Sequence, residues 1–183
     1  MVAYVDKNFS SACLVVLLFF VVSSYATFST MVTKDEIHFI CTQQDINSSL
    51  CFEVLKPNPE IARFDFSGLF KFLLNYQARN ISDTLKQFKL SADYTRDKDS
   101  QYSVCIEEYE NALENRDKAL KYLAAKDYAS VNTMVSATMT EMFTCTDDLS
   151  TMKPIPKLFI TKSNVISDLS NIILVILKKI KIM

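Results

Sequence analysis

The sequence predicts an all-α protein, an up-down-up-down four-helix bundle preceded by a short N-terminal helical hairpin with its own disulfide staple. Three observations carry that expectation. A single glycine, Gly68, and four prolines in 183 residues leave few of the turns a many-stranded fold needs. Hydrophobic residues make up 49% of the chain, enough for a sizeable core. Apolar positions recur in steps of three and four, the helical period, with little strand-like alternation.

The first 26 residues are expected to lie outside the fold. Lys7 sits in a short polar start, Ala12 to Val22 is an apolar run, and Ser24-Tyr25-Ala26 places small residues before a cleavage point. That is the order of a secretory signal peptide spanning 1–26, and the apolar run is shorter than a membrane anchor requires. The mature domain is then 27–183, secreted to the extracellular space. Cleavage removes Cys13 and leaves Cys41, Cys51, Cys105 and Cys145, an even number that predicts two disulfides. Zinc is the rival use of such cysteines. With no C-x-x-C pair and His38 as the one histidine, no metal site is expected.

The hairpin is assigned to 33–55. Cys41 and Cys51 lie ten residues apart, which on one continuous helix would separate them by about 15 Å. If they are bonded, the chain must turn between them, and Asp45-Ile46-Asn47-Ser48-Ser49 is the natural place. Lys56-Pro57-Asn58-Pro59 cannot continue a helix and opens the bundle, 60–183. Phe66, Phe70, Leu73, Gln77, Ile81, Leu85 and Phe88 form the stripe of one helix from about Ile61 to Leu90, with a bend expected near Gly68 or Asn80. Asp93 to Ser100 is charged and aperiodic, a loop.

From Gln101 to Ser150 two stripes face each other across the turn Ala125-Lys126-Asp127, with Asp127 placed to cap the second arm. The outgoing stripe is Tyr102, Cys105, Tyr109, Ala112, Arg116, Ala119 and Leu123, and the returning one is Tyr128, Val131, Val135, Thr138, Met142, Cys145 and Leu149. Cys105 and Cys145 each stand twenty residues from Ala125, so antiparallel helices bring the two thiols to the same height, within disulfide reach. Met152-Lys153-Pro154-Ile155-Pro156 breaks the chain again, and Ile166, Leu169, Ile173, Ile176 and Ile180 mark the last helix. Its fully apolar part, Ile172 to Leu177, is too short to span a bilayer and reads as buried.

Catalysis finds little support. His38 has no nucleophile beside it, and Glu107-Glu108 and Asp147-Asp148 are adjacent pairs that diverge around a helix. One glycine cannot build a phosphate loop, and Met134, Met139 and Met142 read as core filler, so neither a catalytic residue nor a cofactor is expected. A net charge of -1 without a basic aromatic cluster excludes nucleic acid as a partner. Two glycosylation sequons begin at Asn47 and Asn80, with Asn47, in the turn, the better acceptor.

A combination of segments resembles the plant invertase and pectin methylesterase inhibitor family. It comprises Ile40-Cys41 with Ser49-Leu50-Cys51, then Cys105-Ile106-Glu107-Glu108-Tyr109, the turn into Asp127-Tyr128, Val135-Ser136-Ala137-Thr138 with Thr144-Cys145-Thr146-Asp147, and Leu169-Ser170-Asn171-Ile172. The resemblance implies Cys41–Cys51 and Cys105–Cys145 pairing and a monomeric apoplastic or cell-wall protein. Such a protein inhibits its target enzyme by forming a stoichiometric complex over the active-site cleft. It also implies that the second and third bundle helices supply the contact surface, here around Lys126, Asp127 and Tyr128. Lys126-Asp127-Tyr128 stands where invertase inhibitors often carry Pro-Lys-Phe, which favours pectin methylesterase over cell-wall or vacuolar invertase. Ser170 replaces a fifth cysteine found in other members. A secreted bundle that binds a lipid or small ligand is the alternative from another class.

Overall fold

The computed structural model describes residues 31–56, 60–95 and 102–182; the expected signal peptide, 1–26, and the Pro57–Pro59 boundary lie outside them. Six helices are present among the described residues. We number them α1 (Lys34–Cys41), α2 (Ser48–Leu55), α3 (Phe66–Thr95), α4 (Ser103–Ala124), α5 (Tyr128–Thr151) and α6 (Lys157–Ile182). Helices α3 to α6 each pack against the next, and α3 closes on α6, as an up-down-up-down bundle requires.

Helix α1 starts with a reciprocal cap. Glu36 N–H donates to Thr33 Oγ1 at 3.2 Å, and Thr33 N–H donates to Glu36 Oε2 at 2.8 Å. The chain turns after Thr42, and Asn47 caps α2 by accepting from Leu50 N–H at 3.3 Å. Ser48 and Ser49 therefore belong to the helix and not to the expected turn. The Cys41–Cys51 disulfide spans a Cα separation of 5.4 Å, and Ser48 Oγ donates to Cys41 O. Two eight-residue helices would be marginal alone. Their apolar faces (Ile40, Cys41, Cys51, Val54, Leu55) join the core of the bundle itself. The hairpin is thus one wall of the main core, bonded to α6 by Asn47 Nδ2 donating to Asp168 Oδ2 at 2.8 Å.

Helix α3 departs from its expected bounds at both ends. Ile61–Arg63 forms a separate 3₁₀ turn, and Asp65 then starts the helix, its Oδ1 accepting from Gly68 N–H at 2.6 Å. Gly68 lies in the first turn of the helix, where its N–H serves the cap. A Cβ there would come within 3.1 Å of that carboxylate and 3.2 Å of the Phe64 ring, so glycine leaves room for the cap. The helix runs unbroken through Asn80 and on to Thr95, past the expected end at Leu90. Asp93 to Thr95, assigned to a loop by sequence, are helical, while 96–101 lie outside the described residues. Helix α6 likewise begins at Lys157, immediately after Pro156 and well before its apolar stripe. By length and composition Lys157–Lys181 could cross a membrane, contrary to the estimate from its apolar part alone, but half of its most apolar window is buried in the bundle.

The predicted stripes are largely the buried faces, but Tyr102, Arg116, Tyr128 and Ile180 are only half-buried, and in α4 the buried residue is Asn115 and not its neighbour Arg116. Phe66, Phe70, Leu73, Gln77, Ile81, Leu85 and Phe88 are all buried, as are Val131, Val135, Thr138, Met142, Cys145 and Leu149. They divide into two apolar layers. The lower layer joins the hairpin to Leu69–Leu74, Ala119, Leu123 and Ile172–Leu177. The upper one holds Phe88, Tyr109, Phe159, Ile166 and the Cys105–Cys145 disulfide, whose Cα atoms are 4.6 Å apart. Phe88 and Phe159 stack there at 4.1 Å between ring centroids.

Between the layers lies a polar belt with one buried residue from each bundle helix: Gln77, Asn115, Thr138 and Ser170. Gln77 Nε2 donates to Ile166 O at 2.9 Å and to Ser170 Oγ at 2.7 Å. Burying such groups is tolerable because each has a partner: Asn115 donates to Glu141 and Thr138 to Met134 O of its own helix. Just above the belt, Tyr109 OH shares a 2.9 Å hydrogen bond with Ser163 Oγ, and burial pushes this phenol up to about 12.

Candidate functional site

The α4–α5 connection is a rigid corner. Lys126 N–H donates to Leu123 O at 3.0 Å and Asp127 N–H to Tyr122 O at 3.0 Å, the paired closure of a Schellman motif. That motif puts its turning residue in the left-handed region, and Lys126, with φ 57°, occupies the position glycine usually fills. Asp127 then caps α5. Its Oδ1 accepts from Ser130 N–H at 3.1 Å and its Oδ2 from Ser130 Oγ at 2.6 Å. The Ser130 hydroxyl first, and then its N–H, hold the Asp127 carboxyl below its ordinary value. Tyr128 is half-buried against the lower core. The three residues are thus contiguous at one end of the bundle, with an exposed amine and carboxylate beside a partly covered ring. Asp127 is also a structural cap, so reversing its charge alters the helix start as well as the surface.

The outer faces of α4 and α5 differ in chemistry. Exposed positions of α4 are charged: Glu107, Glu110, Glu114, Asp117, Lys118 and Lys121. Those of α5 are mostly uncharged, and Thr133, Thr140 and Thr144 turn their hydroxyls back to carbonyls four residues earlier. Their donors are used inside the helix, so the stripe has a low demand for water. Phe143 stands in it, 56% exposed, a large aromatic that helical periodicity alone did not single out. Its place outside the buried stripe (Met142, Cys145, Leu149) was the available signal.

One titratable group lies where α4 meets α5. Glu141 Oε1 accepts from Asn115 Nδ2 at 2.7 Å, while Oε2 is buried without a partner. Burial, aided by the negative charges of Glu108 and Glu114, pushes this carboxyl up to about 7. Across α4, Arg116 bonds Asp117 and reaches Asn75 on α3.

The other sequence-predicted residues lie apart from the corner. Asn47 is exposed at the hairpin, and Asn80 is half-buried within α3, its Nδ2 donating to Tyr76 O at 2.9 Å. His38 is exposed on the hairpin, its ring 5.9 Å from that of Phe52, and carries no catalytic arrangement. It borders a cavity of about 640 Å³ between the hairpin and Ile61-Ala62, lined chiefly by Val32, Ile37, Phe52 and Leu55. Among the described residues no group of three or more acidic, histidine or cysteine side chains could hold a metal ion.

Residues 35–176 match the family model described as Plant invertase/pectin methylesterase inhibitor. The chain is 31% identical over 156 residues to Pectinesterase inhibitor 1 of Arabidopsis thaliana, covering 84% of each protein. It is 29% identical over 132 residues to the Pectinesterase inhibitor of Actinidia deliciosa, covering 71% of each. Its fold is similar to the crystal structure of mutant form A of a pectin methylesterase inhibitor from Arabidopsis, with a TM-score of 0.69 and 30% identity over 78% of this chain and 95% of that one. A second crystal structure, of a pectin methylesterase inhibitor from Arabidopsis thaliana, matches with a TM-score of 0.59 over 80% and 97% of the two chains. These are inhibitors and not catalysts, in keeping with a surface that holds caps and hydrogen-bonded side chains instead of converging acids and bases. With its bundle, its two disulfides and this match across most of its length, the chain belongs to the plant invertase/pectin methylesterase inhibitor family.

Proposed function

We propose that the mature chain is a secreted, monomeric inhibitor of pectin methylesterase that acts in the apoplast by covering the enzyme's cleft in a stoichiometric complex. The observation that carries this reading is the 31% identity, over 84% of both chains, to a protein named for pectinesterase inhibition. The contact surface is assigned to the α4–α5 corner (Lys126, Asp127, Tyr128) and the outer stripe of α5 that rises from it. What supports the assignment is rigidity. A Schellman closure and an aspartate cap hold the corner in place, so little conformational entropy is lost on binding.

Titrating purified mature protein into plant pectin methylesterases should abolish activity at a one-to-one ratio, and a panel left unaffected would refute the reading. Inhibition of invertase is the second reading, because the family description names both enzymes; the same titration against cell-wall and vacuolar invertases separates the two. Carriage of a lipid would need an enclosed cavity within the bundle. The cavity of about 640 Å³ instead borders the lower layer between the hairpin and Ile61-Ala62, and no residue of the four bundle helices lines it. Of the two sequons, exposed Asn47 is the proposed glycan site. Expression through a eukaryotic secretory pathway should give one glycan, removed by Asn47→Gln and retained in Asn80→Gln.

A further inference from the structure

We propose that the end of the bundle formed by the α4–α5 corner and the C-terminus of α6 binds a linear polyanion, a de-esterified polyuronate. Lys121 and Lys126 at the corner, and Lys178 and Lys181 on α6, are all exposed. The ion pairs of the described residues lie elsewhere, at Asp83–Lys86, Lys89–Glu110, Glu114–Lys118 and Arg116–Asp117. None of the four end lysines takes part in one. Leu169 to Ile182 contains no acid, and the acid at the corner, Asp127, is turned to Ser130.

Lysines at a helix C-terminus ordinarily offset the helix dipole. At this end the offset is already in place, because α3 and α5 begin where α4 and α6 finish and their terminal partial charges cancel. The lysine charge is therefore left over. Lys178 and Lys181 are three apart and share a face, whereas Lys179 is committed to the hairpin, its Nζ 4.3 Å from the Phe39 ring centroid. These amines are exposed and spread over the ends of two helices, an arrangement that suits a chain of repeated charges held by counterion release more than a single small anion. The choice of polymer rests on the function proposed above, since hydrolysing methyl esters on pectin creates a polycarboxylate where the target enzyme works. Binding it would hold the inhibitor beside freshly processed polymer.

The test is co-sedimentation of the full mature protein with polygalacturonate, with fully methyl-esterified pectin and with anionic phospholipid vesicles, without any enzyme present. The de-esterified polymer should bind at low salt and lose about tenfold or more in affinity between about 50 and about 200 mM salt, while the esterified polymer does not bind. Lys178→Gln with Lys181→Gln should weaken polymer binding about fivefold or more, with an unchanged circular dichroism melt. Equal binding of both polymers, an unaltered affinity in the double variant, or a preference for the vesicles would overturn the proposal. A chain that binds the polymer but inhibits no pectin methylesterase would sink the function proposed above and leave this one standing.

Discussion

Replacing Glu141 by glutamine isolates the one carboxyl that folding places in an unfavourable site. In the unfolded chain it titrates near its ordinary value of 4.5, and in the fold near 7, because burial disfavours its charge. Below pH 4.5 both states hold the proton and the group costs nothing. As pH rises from 4.5 to 7 the unfolded chain releases the proton first, so stability falls; above 7 the full cost persists. At 1.36 kcal/mol per pH unit the limit is about 3 kcal/mol, reduced to about 1–2 kcal/mol because Glu141 is half-exposed and screened by solvent. The groups facing it from α4 are Asn115, Glu108, Glu114 and Lys118; the Asn115 hydrogen bond and the lysine charge oppose the shift, and the two glutamates add to it. Glu141→Gln keeps an oxygen for Asn115 and removes the charge. Urea titrations should show it more stable than the parent by about 1–2 kcal/mol at pH 8 and equal to it at pH 4. The same difference at both pH values would refute the assignment of the cost to a buried charge.

Four further outcomes follow from the structure. Replacing Cys105 and Cys145 together by alanine opens a cross-link forty residues long and should lower the unfolding free energy by about 4 kcal/mol, read from denaturant midpoints at matched slope. Gln77→Ala empties part of the polar belt and removes the donor to Ser170 Oγ, which keeps its own bond to Ile166 O; a loss of about 2–3 kcal/mol is expected, and a smaller loss in Gln77→Leu would assign the difference to the cavity. At the corner, Lys126→Gly relieves the left-handed backbone and should raise stability by about 0.5–1 kcal/mol. Asp127→Ala should lower the melting temperature by a margin that shrinks as pH falls through and below the ordinary aspartate value of 3.8.

Much of this molecule could be read from one-dimensional spacing. The helical stripes name most of the buried positions because each helix has a single neighbourhood to bury, and a 3.6-residue period records it; Arg116, named in place of the buried Asn115, is an exception. Element ends were less legible. The start of α3 depends on Asp65 and Gly68 acting together, and its extension to Thr95 has no apolar marker. Phe143 was missed for a related reason: periodicity names what is inside, and a large apolar residue outside is visible only once the packed face is known.

By itself the sequence determined the helical class, the inward stripes, the equal spacing of Cys105 and Cys145 about their turn, and the family. All of these are consequences of local repeats or of residue order along the chain. Only the tertiary structure decided that the hairpin is a wall of the main core and that Gln77 and Ser170 meet in a polar belt. It also placed the lysines of α6 at the same end as the α4–α5 corner. These relations join residues from about forty to more than one hundred positions apart, or depend on the direction a backbone takes at a single turn. Packing settles them, because each buried polar group must find its partner wherever the folded chain brings one.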